Sequence, residues 1–105
     1  LRRSIGTIAC MARSINLLVV HCSASKNGDS LFRGQSGKAD FRNPAQTIDA
    51  WHAERGFKRR HPDAKVWNPE LQHIGYHFVV ACNGAVFTGR SFDEVGAHAK
   101  GFNEN

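Results

Sequence analysis

The sequence predicts an α/β domain in which a mixed central β-sheet is flanked by helices. Three observations predict this class: a short apolar run over residues 15–20, a helical pattern that begins at Asn43, and a hairpin pattern over residues 77–88. With 105 residues, 41% of them hydrophobic and 22% charged, the chain has the length and composition of one small globular domain. Three strands and one helix would leave a sheet face and an edge uncovered, so the domain is predicted to be incomplete.

The first strand is predicted over residues 15–20, because this run is apolar, partly β-branched and short enough for a strand that is buried on both faces. His21 follows at the carboxyl end of this strand, where α/β folds commonly place ligands. Position alone leaves two interpretations of His21 open, a ligand or a core histidine with satisfied hydrogen bonds. Residues 22–43 are polar and show no steady period, which predicts a long functional or mobile loop.

The helix has clear signals at both ends. Asn43 can cap its amino terminus, Pro44 suits the first helical position, and Gln46 can complete a capping box. Gly56 predicts its end. Within it, Trp51 is interpreted as the anchor to the core, with substrate stacking as the alternative.

A β-hairpin is predicted where two apolar runs, over residues 77–82 and 85–88, flank the dipeptide Asn83-Gly84. Asn-Gly accepts the positive φ angles of a type I′ turn, so the loop is predicted to contain these two residues only. The chain from Gly89 onward is predicted to be mainly loop.

The remaining histidines are mostly assigned structural roles. His73 and His77 have the i, i+4 spacing of a helical zinc pair, but Gly75 and the strand pattern argue against a helix there. His61 is expected to be solvated, and His52 is expected to make a structural hydrogen bond from the helix.

The chain is basic, with 14 Lys and Arg against 9 Asp and Glu and a formal charge of +5. Such a surface attracts a polyanion, either nucleic acid or an anionic cell wall, unless it serves solubility alone. No nucleic-acid-binding motif accompanies the charge, so no nucleic-acid partner is predicted.

The sequence predicts no membrane span, since no apolar run approaches the roughly 20 residues that a bilayer requires. Residues 1–10 have no apolar stretch of signal-peptide length, and Met11-Ala12-Arg13 resembles a translation start. Residues 1–10 are therefore interpreted as a tag or upstream extension and residues 11–105 as the domain, made in the cytoplasm. The three cysteines fit no disulfide framework, and Cys22 and Cys82 are predicted to be small buried residues.

Five motifs occur together in one order, and together they resemble the zinc-dependent N-acetylmuramoyl-L-alanine amidases of the phage-lysozyme and peptidoglycan-recognition-protein type. Each alone is weak, but their order over residues 15–105 is specific. The motifs are Val20-His21-Cys22-Ser23-Ala24, Trp51-His52 with Glu54-Arg55-Gly56-Phe57, Ile74-Gly75-Tyr76-His77-Phe78, Asn83-Gly84 with Gly89-Arg90, and Gly96-Ala97-His98-Ala99-Lys100-Gly101-Phe102-Asn103.

The resemblance implies an amidase fold and hydrolysis of the amide between muramic acid and L-alanine in peptidoglycan. By motif, His21 matches the first zinc ligand, Tyr76 the catalytic tyrosine, and His98 and Asn103 residues that line the substrate groove. Zinc would lower the pKa of a bound water towards roughly 7, and a tyrosine hydroxyl would stabilise the charge that develops on the carbonyl oxygen. Without the resemblance, the local sequence favours a structural role for Tyr76, as a half-buried residue of a strand.

The resemblance also implies a second histidine, a cysteine and a catalytic lysine at positions beyond Asn105, and no residue of this sequence matches them. The 105 residues are therefore expected to form a partial amidase domain, inactive alone, that acts on the bacterial cell wall in a phage or prophage setting. A non-catalytic peptidoglycan-binding module and a regulatory protein-binding module are the alternatives. Self-association through an uncovered sheet edge is also expected.

Overall fold

The computed structural model describes residues 14–20, 22–23 and 25–97. Along these residues run one α-helix, α1 (Pro44–Glu54), one short 3₁₀-helix (Pro62–Lys65) and two strands, β1 (Phe78–Val80) and β2 (Val86–Thr88). The described residues thus combine helix and sheet, as predicted. Their sheet is a two-stranded antiparallel hairpin, and a larger mixed sheet is not formed among them. No helix in this part of the chain is long and apolar enough to cross a bilayer.

Helix α1 begins at the residues that predicted it. The Asn43 side chain accepts a hydrogen bond from the Gln46 N–H, and the Gln46 side chain accepts one from the Asn43 N–H, both at 2.9 Å. This reciprocal pair is a capping box, and it satisfies two donors that the first turn of a helix leaves without a partner. Gly56 follows the helix with φ of +83°, as expected for a residue beyond a helix end.

The hairpin forms, but its turn differs from the prediction. Val80 pairs with Val86, and the next pair is Ala81 with Ala85, whose backbones are joined by a 2.8 Å hydrogen bond. The loop therefore contains three residues, Cys82, Asn83 and Gly84, and only Gly84 has a positive φ, +87°. The Gly84 N–H donates to the Ala81 carbonyl at 2.9 Å, which closes a tight turn followed by a left-handed glycine. The predicted two-residue type I′ turn is wrong, because Asn83 does not adopt the positive φ that it requires.

The core lies between α1 and the hairpin. Ile48 on α1 and Ile74 before β1 are completely or almost completely buried, at 1% and 0% exposure. Trp51 is half-buried and packs against this core, which confirms its role as an anchor. The core cluster consists of Leu31, Ala45, Ile48, Leu71, Ile74 and Val79, with Trp51, Tyr76 and Phe87 packed against it.

The predicted first strand is not present in the structure. Residues 14–20 have no regular secondary structure, and all of them are exposed, with Leu18 at 80% and Val20 at 86%. A β-strand needs a partner for its backbone hydrogen bonds, and none of the described residues pairs with this run. Cys22 and Cys82 are exposed as well, so their predicted burial is wrong.

A buried ion pair holds the polar segment after α1 against the end of the described chain. Arg59 and Glu94 are 3% and 2% exposed, and their side chains form two hydrogen bonds of 2.8 and 2.7 Å. The remaining donors of the Arg59 guanidinium bind the carbonyls of Trp67, Asn68 and Leu71 at 2.7–2.8 Å. All five donors are thus satisfied, which is what makes a buried guanidinium tolerable.

Candidate functional site

Tyr76 lies just before β1, and its neighbours along the chain are fixed by side chains of α1. Asp49 Oδ1 accepts hydrogen bonds from the N–H groups of His73 and Ile74, both at 2.8 Å. His52 Nδ1 accepts the N–H of Gly75 at 2.9 Å. The structural hydrogen bond predicted for His52 is therefore confirmed, and Asp49 joins it in the same role.

The opposite side of this segment is held by residues that follow β2. The Arg90 N–H donates to the Tyr76 carbonyl at 2.9 Å, and the Ala97 N–H donates to the Gly75 carbonyl at 2.9 Å. Gly75 is required here, because a Cβ at this position would collide with the Ala97 carbonyl oxygen. A Cβ on Gly89 would likewise collide with the Tyr76 carbonyl oxygen. The backbone around Tyr76 is thus confined from both sides.

The Tyr76 ring is half-buried and stands edge-on to the His52 ring, with centroids 4.8 Å apart at an angle of 84°. Burial raises the pKa of the Tyr76 phenol above its ordinary value, while the Arg55 charge opposes this shift and Cys22 adds to it. The phenol therefore keeps its proton at neutral pH and is a hydrogen-bond donor.

Tyr76 borders an apolar cleft of about 720 Å³, which is lined mainly by the hairpin and by residues between 15 and 23. The residues on either side of His21, Val20 and Cys22, line the same cleft, as does Ser23. His21 itself lies outside the described residues, and so do the predicted substrate contacts His98 and Asn103. The cleft also contains apolar side chains from residues 15–20 and from both strands, together with Leu31, Ile48, His77, Val79 and Phe92.

A metal ion in a protein needs several ligands that converge on one point. In this part of the chain, no group of three or more His, Cys, Asp or Glu side chains comes close enough to hold a metal ion. His73 and His77 do not form a pair: His73 Nδ1 lies 2.8 Å from the Phe57 carbonyl, and His77 Nε2 lies 2.7 Å from the Glu94 carbonyl. His61 is exposed, as predicted, and its Nδ1 accepts the Asp63 N–H at 3.0 Å.

Three residues near the site were not found from the sequence. Asp49 is one of several polar residues on α1, and nothing in its spacing indicates that its partners lie 24 and 25 residues further along. Arg59 and Glu94 are separated by 35 residues, so neither helical nor strand periodicity connects them. The sequence offers only an acidic residue, Glu94, in a polar stretch and a basic run over residues 58–60 elsewhere in the chain. Such a combination is too common to predict an ion pair.

Comparison with known proteins gives three informative relatives. The chain is 47% identical over 64 residues to an uncharacterized protein of Haemophilus influenzae, a match that covers 61% of this chain and 62% of that protein. It is 32% identical over 92 residues to the endolysin of Escherichia phage T7, covering 88% of this chain and 44% of the endolysin. It is 38% identical over 61 residues to an N-acetylmuramoyl-L-alanine amidase of Mus musculus, covering 57% of this chain and 11% of that enzyme.

These similarities support a family of the endolysin and N-acetylmuramoyl-L-alanine amidase type for this chain. The chain spans about three-fifths of the Haemophilus protein and less than half of the T7 endolysin. No protein-family model matches the chain, and no solved structure matches it significantly.

Proposed function

We propose that this chain forms part of a zinc-dependent N-acetylmuramoyl-L-alanine amidase that hydrolyses the amide between muramic acid and L-alanine in peptidoglycan. The similarity to the T7 endolysin carries this proposal, because a match over 92 of 105 residues must include both His21 and Tyr76. The basic surface suits an anionic cell wall, which is the proposed site of action.

In this proposal Tyr76 acts on the carbonyl oxygen of the scissile amide. Tyr76 keeps its phenolic proton at neutral pH and lines the cleft, and the backbone around it is held from both sides. A fixed donor at the point where negative charge develops stabilises the transition state more than the substrate. His98 and Asn103 are proposed to contact the sugar or peptide beside this bond.

Zinc belongs to the proposal through His21, whose neighbours Val20 and Cys22 line the same cleft as Tyr76. When bound, zinc would supply a hydroxide at neutral pH for attack on the amide. The described residues do not themselves assemble a three-ligand set, so zinc binding has to be measured directly. The resemblance places the other ligands at positions that have no match in this sequence, so the 105 residues alone are expected to bind zinc weakly.

A graft tests the enzyme proposal. In this chimeric protein, called the endolysin graft, this chain replaces the aligned segment of the T7 endolysin. The assay measures the new amino-terminal L-alanine that the graft and the unmodified endolysin release from purified peptidoglycan. We expect the graft to release L-alanine termini, and we expect His21→Ala to abolish this release and lower the bound zinc, since two ligands do not maintain a three-ligand site. His61→Ala, which removes an exposed histidine distant in sequence, is the control and should retain both. Unchanged zinc content in the His21 variant would refute the ligand assignment.

A non-catalytic peptidoglycan-binding module is the second candidate. It is favoured by the basic composition of the chain, with 14 Lys and Arg against 9 Asp and Glu, which suits binding to an anionic cell wall without requiring hydrolysis. Two measurements together distinguish the candidates. If the chain is a binding module, it sediments with peptidoglycan, but the endolysin graft that contains it releases no L-alanine termini.

A further inference from the structure

We infer that Asp49 and His52 are positioning residues that set the position of the Tyr76 side chain relative to the cleft. The inference deepens the proposed function, because it concerns the placement of the donor proposed to act on the substrate. It is carried by the contacts between α1 and residues 73–76, which do not depend on any ligand.

The first step is the unusual pattern of hydrogen bonds ahead of Tyr76. In a β-strand, successive N–H groups point to opposite edges, so one neighbour captures every second one. Here three successive N–H groups, of residues 73, 74 and 75, are all accepted by α1 side chains. Asp49 and His52 are three residues apart, which places them on one face of the helix. This face therefore determines the path of the chain into Tyr76.

The second step is that His52 contacts Tyr76 in two ways. Its Nδ1 accepts the N–H of Gly75, the residue before Tyr76, and its ring packs against the edge of the Tyr76 ring. His52 is only 3% exposed and also packs against Phe57, with ring centroids 4.7 Å apart. A side chain so enclosed has little freedom to move, so it fixes both the backbone and the ring of Tyr76.

The third step separates positioning from substrate contact. Neither Asp49 nor His52 is among the described residues that line the cleft, whereas Tyr76 is. The opposite side of residues 74–76 is held by the backbone N–H groups of Arg90 and Ala97 and by Arg90 Nε on the Ile74 carbonyl at 2.7 Å. Substitution of Asp49 or His52 can therefore loosen the segment before Tyr76 without changing a residue that lines the cleft.

The test uses the fact that Tyr76 is the single tyrosine of the sequence, so tyrosine labelled with ¹³C gives ring signals from this residue alone. The 105-residue chain is compared by NMR with His52→Leu, which removes the acceptor, and with His52→Asn, whose Oδ1 can occupy the position of Nδ1. We expect His52→Leu to shift the Tyr76 ring signals and to speed hydrogen exchange of the Gly75 amide about tenfold. His52→Asn should retain most of the Gly75 protection.

Asp49→Ala is the second variant, because alanine preserves the helix while removing the acceptor for residues 73 and 74. It should speed exchange of those two amides about tenfold and shift the same ring signals. His61→Asn is the matched control at an exposed histidine and should leave the ring signals unchanged. Ring signals that stay at their parent positions in both His52→Leu and Asp49→Ala would overturn the inference.

Hydrolysis provides an independent readout. In the endolysin graft, His52→Leu should lower kcat about tenfold and leave KM within about twofold, since it displaces a transition-state contact without removing substrate contacts. His52→Asn should restore part of kcat. An equal kcat in parent and His52→Leu would count against the inference. A graft with no activity in any form contradicts the proposed function instead, and the NMR comparison still decides the positioning role.

Discussion

Tyr76 combines features that a sequence motif cannot specify by itself. Tyr76 lines the cleft, its ring packs against His52, and the backbone before it is bound by the side chains of Asp49 and His52. The proposed function assigns the reaction to the hydroxyl of this side chain. The contribution of that hydroxyl can be measured by removing one oxygen atom.

Tyr76→Phe in the endolysin graft is expected to fold, to bind zinc and peptidoglycan as the parent does, and to lose on the order of 10²–10³ in turnover. The ring and its packing on His52 remain, so only the hydrogen-bond donor is lost. Release of L-alanine termini from peptidoglycan measures the effect. Activity within a few-fold of the parent would mean that Tyr76 is a core residue only.

Arg59 is the second residue whose role depends on geometry. Its planar guanidinium group donates two hydrogen bonds to the Glu94 carboxylate and three more to backbone carbonyls. Lysine carries the same charge but has three donors on a single nitrogen, so it cannot reproduce this arrangement.

Arg59→Lys is therefore expected to lower the free energy of unfolding by about 2–4 kcal/mol, because it leaves buried acceptors without partners. Urea unfolding of the 105-residue chain, followed by tryptophan fluorescence, provides the measurement. Arg60→Lys at the exposed neighbouring position is the matched control and should change stability by less than about 0.5 kcal/mol. Equal effects of the two substitutions would contradict the assigned role of Arg59.

Among the elements, α1 organises the site, since its amino terminus is capped, its Ile48 enters the core and its Asp49 and His52 hold the segment before Tyr76. The stability of its first turn should therefore affect the whole domain.

Asn43→Ala removes the side-chain half of the capping box and is expected to cost about 1 kcal/mol of unfolding free energy. Asn43→Asp and Asn43→Ser retain an acceptor at the cap and should restore most of the loss. Thermal or urea unfolding of the three variants tests this order. Equal stabilities of the Asn43→Ala and Asn43→Ser variants would mean that the side-chain cap does not stabilise the fold.

Local signals predicted α1 and the two paired strands of the hairpin correctly, though not the length of its turn, because these elements depend on neighbours a few residues apart. The Asn43–Gln46 pair and the left-handed Gly84 are encoded within a single turn of chain. The buried strand at residues 15–20 was predicted from composition, but a strand also requires a partner, which composition does not provide. The acceptors Asp49 and Glu94 could not be predicted, because their partners are brought near only by the complete fold. The resemblance implied a catalytic role for Tyr76, which stays a prediction, and the contacts that hold this residue emerged only from the structure.

For the molecule as a whole, the open side of β1 has the largest consequence. In the described part of the chain, β1 pairs only with β2, so its other edge is free, and Val80 on β1 and Val86 on β2 are both exposed. Unpaired backbone groups beside exposed apolar side chains favour pairing with another chain.

The 105-residue chain is therefore expected to self-associate, and Val80→Lys is expected to shift it towards the monomer, because a charge on an edge strand opposes pairing. Val66→Lys provides a control of the same chemistry away from the hairpin, since the two valines are 68% and 78% exposed. Sizing chromatography over a range of concentrations measures the result. A parent chain that is monomeric throughout, or an equal effect of both lysines, would contradict edge pairing.

The Arg59 guanidinium group also determines how the chain should behave once it is cut. Cleavage after the exposed Lys65 would separate Arg59 from its acceptors on Trp67, Leu71 and Glu94, which would then belong to the second fragment. Burial raises the pKa of Glu94, but hydrogen bonds and positive charges, chiefly from Arg59, outweigh it and lower that pKa below its ordinary value. The carboxylate thus stays ionised at neutral pH and protonates only as the pH falls below the usual glutamate range. The two fragments should copurify at neutral pH and separate in acid, so that a nicked molecule remains whole until the buried carboxylate of Glu94 takes up a proton.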